Sequence, residues 1–561
     1  MDAGEITERV LKKFKDEGDL HDRMDEDFKL WNLEKTAYKT GTDFVKDTIK
    51  GTKESEVNII SNDARTSGDR VQATLSAAEM QIAVRMAEAE GEDKREDIGK
   101  LERLFYFALA KGDERLRRLL LLPLRESLIW FSLYRGWAAG RFLVYKSGKD
   151  IVFDFLSLDR RWLSYEVGAN GFIWVGSQTF RSKAALKDEY DYEAKKDNDN
   201  CVIDYWECAQ NGDIYNSTIC DNNFLRPFQP MRDILGYDLP SMPILIMPVA
   251  TRPLIASTSE EKAEATGYGE SIFAPIRGIN ETRNKFASIV ATHANLLAKQ
   301  PVINMYDEEG KQLQSTVYLA EAVLNLPMGH NKLEPAPMKE ISPTVVQIMG
   351  WLNDQIERGI LPNIPLTQPP PSGTLYNLIQ EAGNKIYNPQ LKNLSCFYAD
   401  ICRLIEEQLL AGKLNVKVQQ QQKRKYYETQ VKPVDLKKPH IIEVEFTAKT
   451  PWTQMDTAQV ALMLEDLGLP KVWIWENILK VQDPKLLQDL LALEVYEHSP
   501  EGMRKRAVEV LMDRGYVFEA QKLIEEMVRM ERQEAVPAEA SQPRRPPEMP
   551  PEMPPEGGLG I

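Results

Sequence analysis

The hydrophobic period of this 561-residue chain changes twice, and neither an all-helical nor an all-strand fold accommodates both changes. Up to Gly140, apolar residues recur mainly at helical spacing. After Gly140, segments rich in Val, Phe, Tyr and Trp are typical of short strands, and helical spacing returns at Ser271. The pattern predicts an α+β fold, mainly helical, with an antiparallel β unit inserted between helical regions.

The amino-terminal third is predicted to be helical. Residues 1–54 are polar with scattered apolar anchors and predict a helical arm, and a second helical block is predicted from about Gly68 to Arg135. The most apolar stretch, Leu119 to Trp137, contains Pro123 and three charged residues, so it predicts a buried helix and not a membrane span. The densely charged amino terminus lacks the apolar core of a secretory signal, and we expect an intracellular protein.

The β unit is predicted from Arg141 onwards. Ser182 is positioned to cap a short helix that ends at Tyr190, and Asn211–Asp213 is predicted to turn the chain between the last two strands. The predicted strands are 141–146, 151–158, 162–167, 172–180, 201–209 and 214–219.

A helix–β–helix pattern follows. The long helix from Ser271 to about Lys299 carries an apolar stripe that we expect to be packed: Ile272, Ile276, Ile279, Phe286, Ile289, Val290, Ala294 and Leu297. A short strand is predicted at 301–306. Pro343 occupies the first turn of a second helix, which continues to about Arg358.

Five prolines between Gly359 and Gly373 exclude a helix there and favour an extended loop. Another long helical region is predicted from Ser372 to Leu410, a β-like stretch over 440–446, and a last helical module over 456–532. The tail from Ala535 contains Pro-Pro-Glu-Met repeats and is predicted to be disordered.

Sequence motifs for chemistry are absent. The chain has no phosphate-binding loop, no Gly-x-Ser-x-Gly elbow and no pair of histidines one helical turn apart, and its five cysteines are irregularly spaced. We therefore expect no enzymatic activity, no cofactor and no metal. The net charge of −15 opposes general adhesion to nucleic acid, so any contact with DNA is expected to be local or weak.

Several strings, in this order along the chain, carry a resemblance to a known family. They are Asn62-Asp63-Ala64-Arg65, Leu158-Asp159-Arg160-Arg161-Trp162, Tyr268-Gly269-Glu270-Ser271 with the helix after it, Gln300-Pro301-Val302-Ile303, and Ser372-Gly373-Thr374-Leu375-Tyr376-Asn377-Leu378. Together with the order of elements over roughly residues 55–530, they resemble the portal (head-tail connector) proteins of tailed double-stranded DNA bacteriophages.

The resemblance implies a portal-like architecture: an α/β wing, a two-helix stem, a small β-containing clip and a helical crown. The segments are an arm (1–54), the wing (55–270), stem helix 1 (271–299), the clip (300–341), stem helix 2 (342–358), a tunnel loop (359–373), the wing return helix and β segment (374–455), the crown (456–532) and the tail (533–561). The arm and the tail lie outside the resemblance and receive no family role.

The resemblance also implies a function and partners. Such proteins form a homo-oligomeric ring, usually of twelve subunits, at one vertex of the virion capsid, after assembly in the host cytoplasm. Double-stranded DNA passes through the ring during packaging and ejection. The implied partners are the terminase, the major capsid or scaffolding protein and a tail adaptor protein, with no membrane.

Within this framework the candidate DNA contacts of the tunnel loop are Asn363, Thr367 and Gln368, which alternatively serve only as loop residues. The candidate channel or intersubunit residues of the stem are Arg277, Arg283, Lys285 and Lys299, for which surface solubility or pairing between subunits is the alternative. Two other functions remain open: a nuclease-type DNA-processing enzyme of the packaging machinery, whose acidic clusters would bind Mg²⁺, and a structural ring such as an adaptor without DNA passage.

Overall fold

The chain divides into two compact units, Met1–Asp456 and Thr457–Ile561. The computed structural model describes residues 1–33, 59–86, 93–148, 150–249, 269–298, 302–306, 323–327, 332–335, 342–359, 388–422, 425–437, 439–447, 451–479, 491, 495, 498–513 and 516–534. Over these residues the protein contains both helices and open sheets, which confirms the predicted α+β class.

The helices of the first unit begin at the amino terminus. Their bounds are α1 Ala3–Asp16, α2 Gly18–Asn32, α3 Asp63–Ala77, α4 Asp93–Arg118, α5 Leu124–Tyr134, α6 Lys183–Tyr190, α7 Met231–Leu235, α8 Arg277–Ala298, α9 Pro343–Gly359, α10 Asn388–Ala411 and α11 Pro433–Leu436.

The strands fall into five sheets. Their bounds are β1 Glu79–Met86, β2 Trp137–Ser147, β3 Asp150–Ser157, β4 Leu163–Gly168, β5 Gly171–Arg181, β6 Asn200–Cys208, β7 Ile214–Cys220, β8 Asn223–Pro230, β9 Ile244–Pro248, β10 Val302–Tyr306, β11 Val323–Pro327, β12 Lys332–Pro335, β13 Val416–Gln422, β14 Lys425–Val431 and β15 His440–Thr447. The sheet orders are β1-β15, β3-β2-β9, β4-β5-β6-β7-β8, β11-β10-β12 and β13-β14.

The predicted β unit is present as an antiparallel meander, β4 to β8, beside the antiparallel sheet β3-β2-β9. Ser182 caps α6 as predicted, because its Oγ accepts a hydrogen bond from Ala185 N at 3.3 Å. One prediction was wrong: the supposedly helical block from Gly68 to Arg135 contains β1, which pairs with β15 more than 350 residues later.

The largest core of the first unit forms around α10. Twelve residues of this helix are buried. The helix contacts α5, β2, β9 and β15, and its buried residues share one apolar core with residues of α3 and α4. Gln408 is buried in this core, yet both ends of its side-chain amide are satisfied: Nε2 donates to Phe142 O at 2.9 Å, and Oε1 accepts from Val144 N at 2.8 Å. The amide thus continues the hydrogen bonding of β2 beyond the end of β9.

The amino-terminal helices pack against the rest of the unit over residues 3–32. Ala3, Ile6 and Val10 of α1 lie against the meander in a cluster that includes Trp174 and Tyr205. The predicted arm is therefore helical here but does not extend away from the β unit, and its remaining residues, 34–54, lie outside the described part of the chain.

A buried ionic network attaches these helices to the short turn Arg160–Trp162. Arg160 is fully buried and donates to Glu17 Oε2 at 3.0 Å and to Leu163 O at 2.7 Å. Arg161 binds both carboxylate oxygens of Asp25, with donor–acceptor distances of 3.1–3.2 Å. The Asp-Arg-Arg-Trp string thus provides the cations that hold α1 and α2 in place.

The described part of the second unit, Thr457–Ile561, is helical. Helix α12, Pro451–Asp466, begins before this unit and ends within it. The others are α13 Lys471–Asn477, α14 Pro500–Asp513 and α15 Val517–Glu534, and α14 contacts α15. The described residues of the second unit are helical, as the sequence predicted for residues 456–532.

Candidate functional site

The candidate site is the helix–β–helix segment that the resemblance assigns to the stem and clip. Helices α8 and α9 contact each other, and the sheet between them in sequence has β10 at its centre. β10 pairs parallel with β11 and antiparallel with β12. The side-chain amide of Asn304 donates to Asn325 Oδ1 at 2.7 Å across the parallel pair. A parallel pair requires a crossover, so this element is more than a simple hairpin.

A polar strip fixes α8 to the segment that precedes α3. Asn280, Asn284 and Ser288 are buried and lie four residues apart, so they share one face of the helix. Asn284 Oδ1 accepts a hydrogen bond from Ser61 N at 3.1 Å, and Ser288 Oγ accepts one from Ile59 N at 2.9 Å. These bonds satisfy backbone groups that would otherwise be costly to bury.

Arg277 begins α8 and is bound by a carboxylate of α2. Its Nε and Nη2 donate to the two oxygens of Asp27 at 2.6 and 2.8 Å, and Asp27 is almost fully buried. A bidentate, charge-assisted pair of this kind fixes both orientation and distance. Arg277 therefore anchors the base of the helix to the amino-terminal helices.

Arg283, two turns further along α8, pairs with Asp63 at the start of α3 and also donates to Ser61 Oγ at 3.1 Å. Partial burial would raise the pKa of the Asp63 carboxyl. The hydrogen bonds from Ser61 and Arg283 outweigh this effect and hold that pKa below its ordinary value. Asp63 is therefore ionised at neutral pH and neutralises the arginine.

The structure describes only some of the predicted site residues. Arg277 and Arg283 have carboxylate partners in the same chain, an arrangement that the sequence analysis did not include. Lys285 is half-buried on α8. Lys299 and the tunnel-loop residues Asn363, Thr367 and Gln368 lie outside the described residues.

The apolar stripe predicted for α8 is only partly packed. Ile276 is buried, and Ile272 and Ile279 pack against the main core, but Ile289 is 42% exposed. The prediction that Ile289 is packed was wrong, because the polar strip occupies the docked face at that level of the helix. On α9, Leu352 and Ile356 are buried, whereas Val346 and Trp351 are 62% and 59% exposed. The two helices thus present apolar side chains on their accessible faces.

Two residues that matter for this geometry, Asp27 and Asn284, were not identified from the sequence. Their partners lie more than 200 residues away, and no local spacing indicates such a pairing. Asp63 was singled out only as part of a family-like string, and the structure gives that string a physical role as the partner of Arg283.

Two thiols of the meander are held in their less reactive form. Burial raises the pKa of the Cys201 and Cys220 thiols, the latter to about 11, which disfavours the thiolate. Among the described residues no group of three or more His, Cys, Asp or Glu side chains is placed to hold a metal ion. No helix in the described ranges is long and apolar enough to cross a membrane.

Comparisons with known proteins give distant likenesses. No protein-family model and no curated protein matches the sequence. A chain from the neck of a native GTA particle, computed with C12 symmetry, is 11% identical with a TM-score of 0.36, over 74% of this chain and 89% of that one. A chain from the neck of an empty GTA particle, computed with C6 symmetry, is also 11% identical with a TM-score of 0.36, over 73% and 87%. Superpositions this loose do not establish a shared fold or function.

Proposed function

We propose that this chain is the subunit of a phage portal, a homo-oligomeric ring at one capsid vertex through which DNA is packaged and ejected. The observation that carries the proposal is the helix–β–helix segment, in which α8 and α9 contact each other and a three-stranded sheet is built from the chain between them. In this proposal the helices are the stem and the sheet belongs to the clip.

The exposed apolar residues support assembly. Ile289, Val346 and Trp351 lie on the accessible faces of the two helices, and Leu333 of the small sheet is 61% exposed. Exposed apolar surface of this kind is typical of interaction sites, and tryptophan is among the residues most enriched at binding hot spots. We infer that the helix faces contact neighbouring subunits and that the clip sheet contacts the terminase and later the tail adaptor.

The charge distribution supports a conduit that does not retain DNA. Strong neutralisation of phosphates would hold the duplex and oppose its movement. The chain is acidic overall, and Arg277 and Arg283 are already neutralised by Asp27 and Asp63. We propose that contacts with DNA come from the tunnel loop, where Asn363, Thr367 and Gln368 offer uncharged polar groups.

Mass photometry of the full chain with negative-stain imaging tests the proposal. We expect rings of about twelve subunits with a central hole wide enough for duplex DNA, which is the usual size in the family. A compact particle without a hole would refute the portal function. The second test deletes residues 363–368: rings should still form, but co-expressed capsids should contain less DNA, and a normal yield of filled particles would refute the role of the loop.

A further inference from the structure

Four consecutive leucines, Leu119–Leu122, are exposed at the end of α4. We call this segment the leucine loop. Its side chains are 56%, 94%, 45% and 57% exposed, in chain order. Isolated exposed leucines are ordinary on protein surfaces, but a contiguous apolar patch is a marker of an interaction site. Leu116 of α4 and Leu124 of α5 are buried on either side of the loop, so apolar packing holds both of its ends.

The backbone holds the leucine loop in a defined shape. Leu120 N donates to Arg117 O at 3.1 Å, and Leu121 N donates to Leu116 O at 3.0 Å, the two bonds that close a Schellman motif. After the loop, Leu124 N donates to Asp113 Oδ1 at 2.8 Å. The four side chains are therefore displayed on a fixed turn.

Leu120 occupies the position in this motif where glycine is usual. Its φ of +59° lies in the left-handed region, which is sterically unfavourable for a residue with a large side chain. The side chain gains no packing in return, since it is the most exposed of the four. A strained backbone that displays an unpacked apolar side chain is a feature that stability alone does not explain.

The surroundings of the loop indicate its partner. Between Lys111 and Arg125 the chain has five cationic residues and two acidic ones, whereas its net charge as a whole is −15. A locally basic, apolar loop is complementary in charge to another copy of the same chain, whose net charge is negative.

The loop also lies beside space into which a partner can fit. Leu119 and Leu121 form part of the lining of a cavity of about 1000 Å³ between β2-β3 and the meander, together with Ile234, which is 48% exposed. Apolar side chains of a second molecule fit this cavity while its carboxylates face Arg117, since Arg118 already pairs with Glu114.

We propose that the leucine loop is an apolar contact by which one copy of this chain binds a second copy. The inference deepens the proposed ring and rests on it only in that copies associate. The contact is heterologous in such a ring: the loop of one subunit meets a different, acidic surface of its neighbour.

The test measures association of the full-length protein by sedimentation velocity over a range of concentrations. In Leu120→Gly, the midpoint concentration for dissociation should rise by about 10-fold or more, because burial of one leucine side chain is lost. Thermal stability of the dissociated subunit should stay equal or increase, because glycine relieves the strained backbone. Val434→Ser is the matched control: Val434 is 68% exposed in the same unit, and its replacement should leave association unchanged.

A second variant, Leu119→Ser with Leu121→Ser and Leu122→Ser, should weaken association further while keeping the circular dichroism spectrum of the wild type. Unchanged association in both variants would overturn the inference and leave the ring proposal standing. If the wild type forms a dimer but no ring, and the variants lose the dimer, the result would support the leucine loop as a contact and refute the ring. A wild type that stays monomeric would refute both the ring and the loop contact. Binding to phosphatidylglycerol vesicles that depends on the loop, with unchanged self-association, would overturn the inference in favour of a membrane.

Discussion

Replacing Arg160 with methionine should release the amino-terminal helices from the β unit. Arg160 and Glu17 are 0% and 2% exposed and 3.0 Å apart, so the substitution leaves a buried carboxylate without its main partner. Breaking a buried pair in this way costs about 3–5 kcal/mol. The lost hydrogen bond from Arg160 to Leu163 O adds an unsatisfied carbonyl to the same site.

Hydrogen exchange read by mass spectrometry is the suitable assay, because it reports local opening in a protein too large for a single two-state unfolding free energy. At about 1.4 kcal/mol for each factor of ten, the opening constant of residues 3–32 should rise at least ~100-fold in Arg160→Met. The control is Arg161→Met, because its partner Asp25 is 38% exposed, and the loss should be only about 1 kcal/mol.

Equal exchange in the two variants, or wild-type protection in Arg160→Met, would refute the reasoning. A double variant provides a further check. Glu17→Met combined with Arg160→Met removes both charges, so the helices should regain much of their protection. If the double variant exchanges as fast as Arg160→Met alone, the unpaired carboxylate is not the cause of the loss.

Three further predictions follow from the same contacts. Burial lowers the pKa of His21 below its ordinary 6.5, so the unfolded state binds protons more readily; the melting temperature should hold above about pH 6.5 and fall as the pH drops below it, and a pH-independent melting temperature between 7.5 and 5.5 would contradict this. Arg283→Met should weaken the contact between α8 and α3 by only about 1 kcal/mol, since Asp63 is 41% exposed, so hydrogen exchange of α3 should rise by less than ~10-fold; a rise of ~100-fold or more would contradict the solvent-screened pairing. Ile289→Asp and Trp351→Ser should leave the circular dichroism spectrum unchanged but reduce the particle mass seen by mass photometry, and misfolded subunits would show that these side chains are packed within the chain.

Local patterns predicted six of the eight described strands of the β unit, and β8 and β9 were not predicted. The strands after Gly140, the turn around Gly212 and the cap of α6 at Ser182 are all determined by residues close in sequence. The helix–β–helix order was also predictable, because Pro343 and the apolar spacing after Ser271 are local signals. These features account for the α+β class.

Contacts between distant residues could not be predicted in the same way. β1 lies within a block that the sequence predicted to be helical, and the pairing of β1 with β15 explains why this segment is a strand. Ile289 fits an apolar helical stripe, but the polar contacts of Asn284 and Ser288 decide which face of α8 is docked. The partners of Arg277 and Arg283 belong to segments more than 200 residues earlier, so their pairing depends on the tertiary fold.

The pairing of β1 with β15 places a timing constraint on synthesis. Met86 pairs with His440, so about 350 residues must leave the ribosome after the first strand before the second is available. At roughly 5–20 residues per second, this interval is about 20–70 s. During that time the apolar face of β1, which carries Ile82 and Val84, lacks its partner strand. A nascent chain therefore cannot complete its core until translation has passed the whole helix–β–helix segment, and chaperones that bind exposed strands can act on β1 throughout this interval.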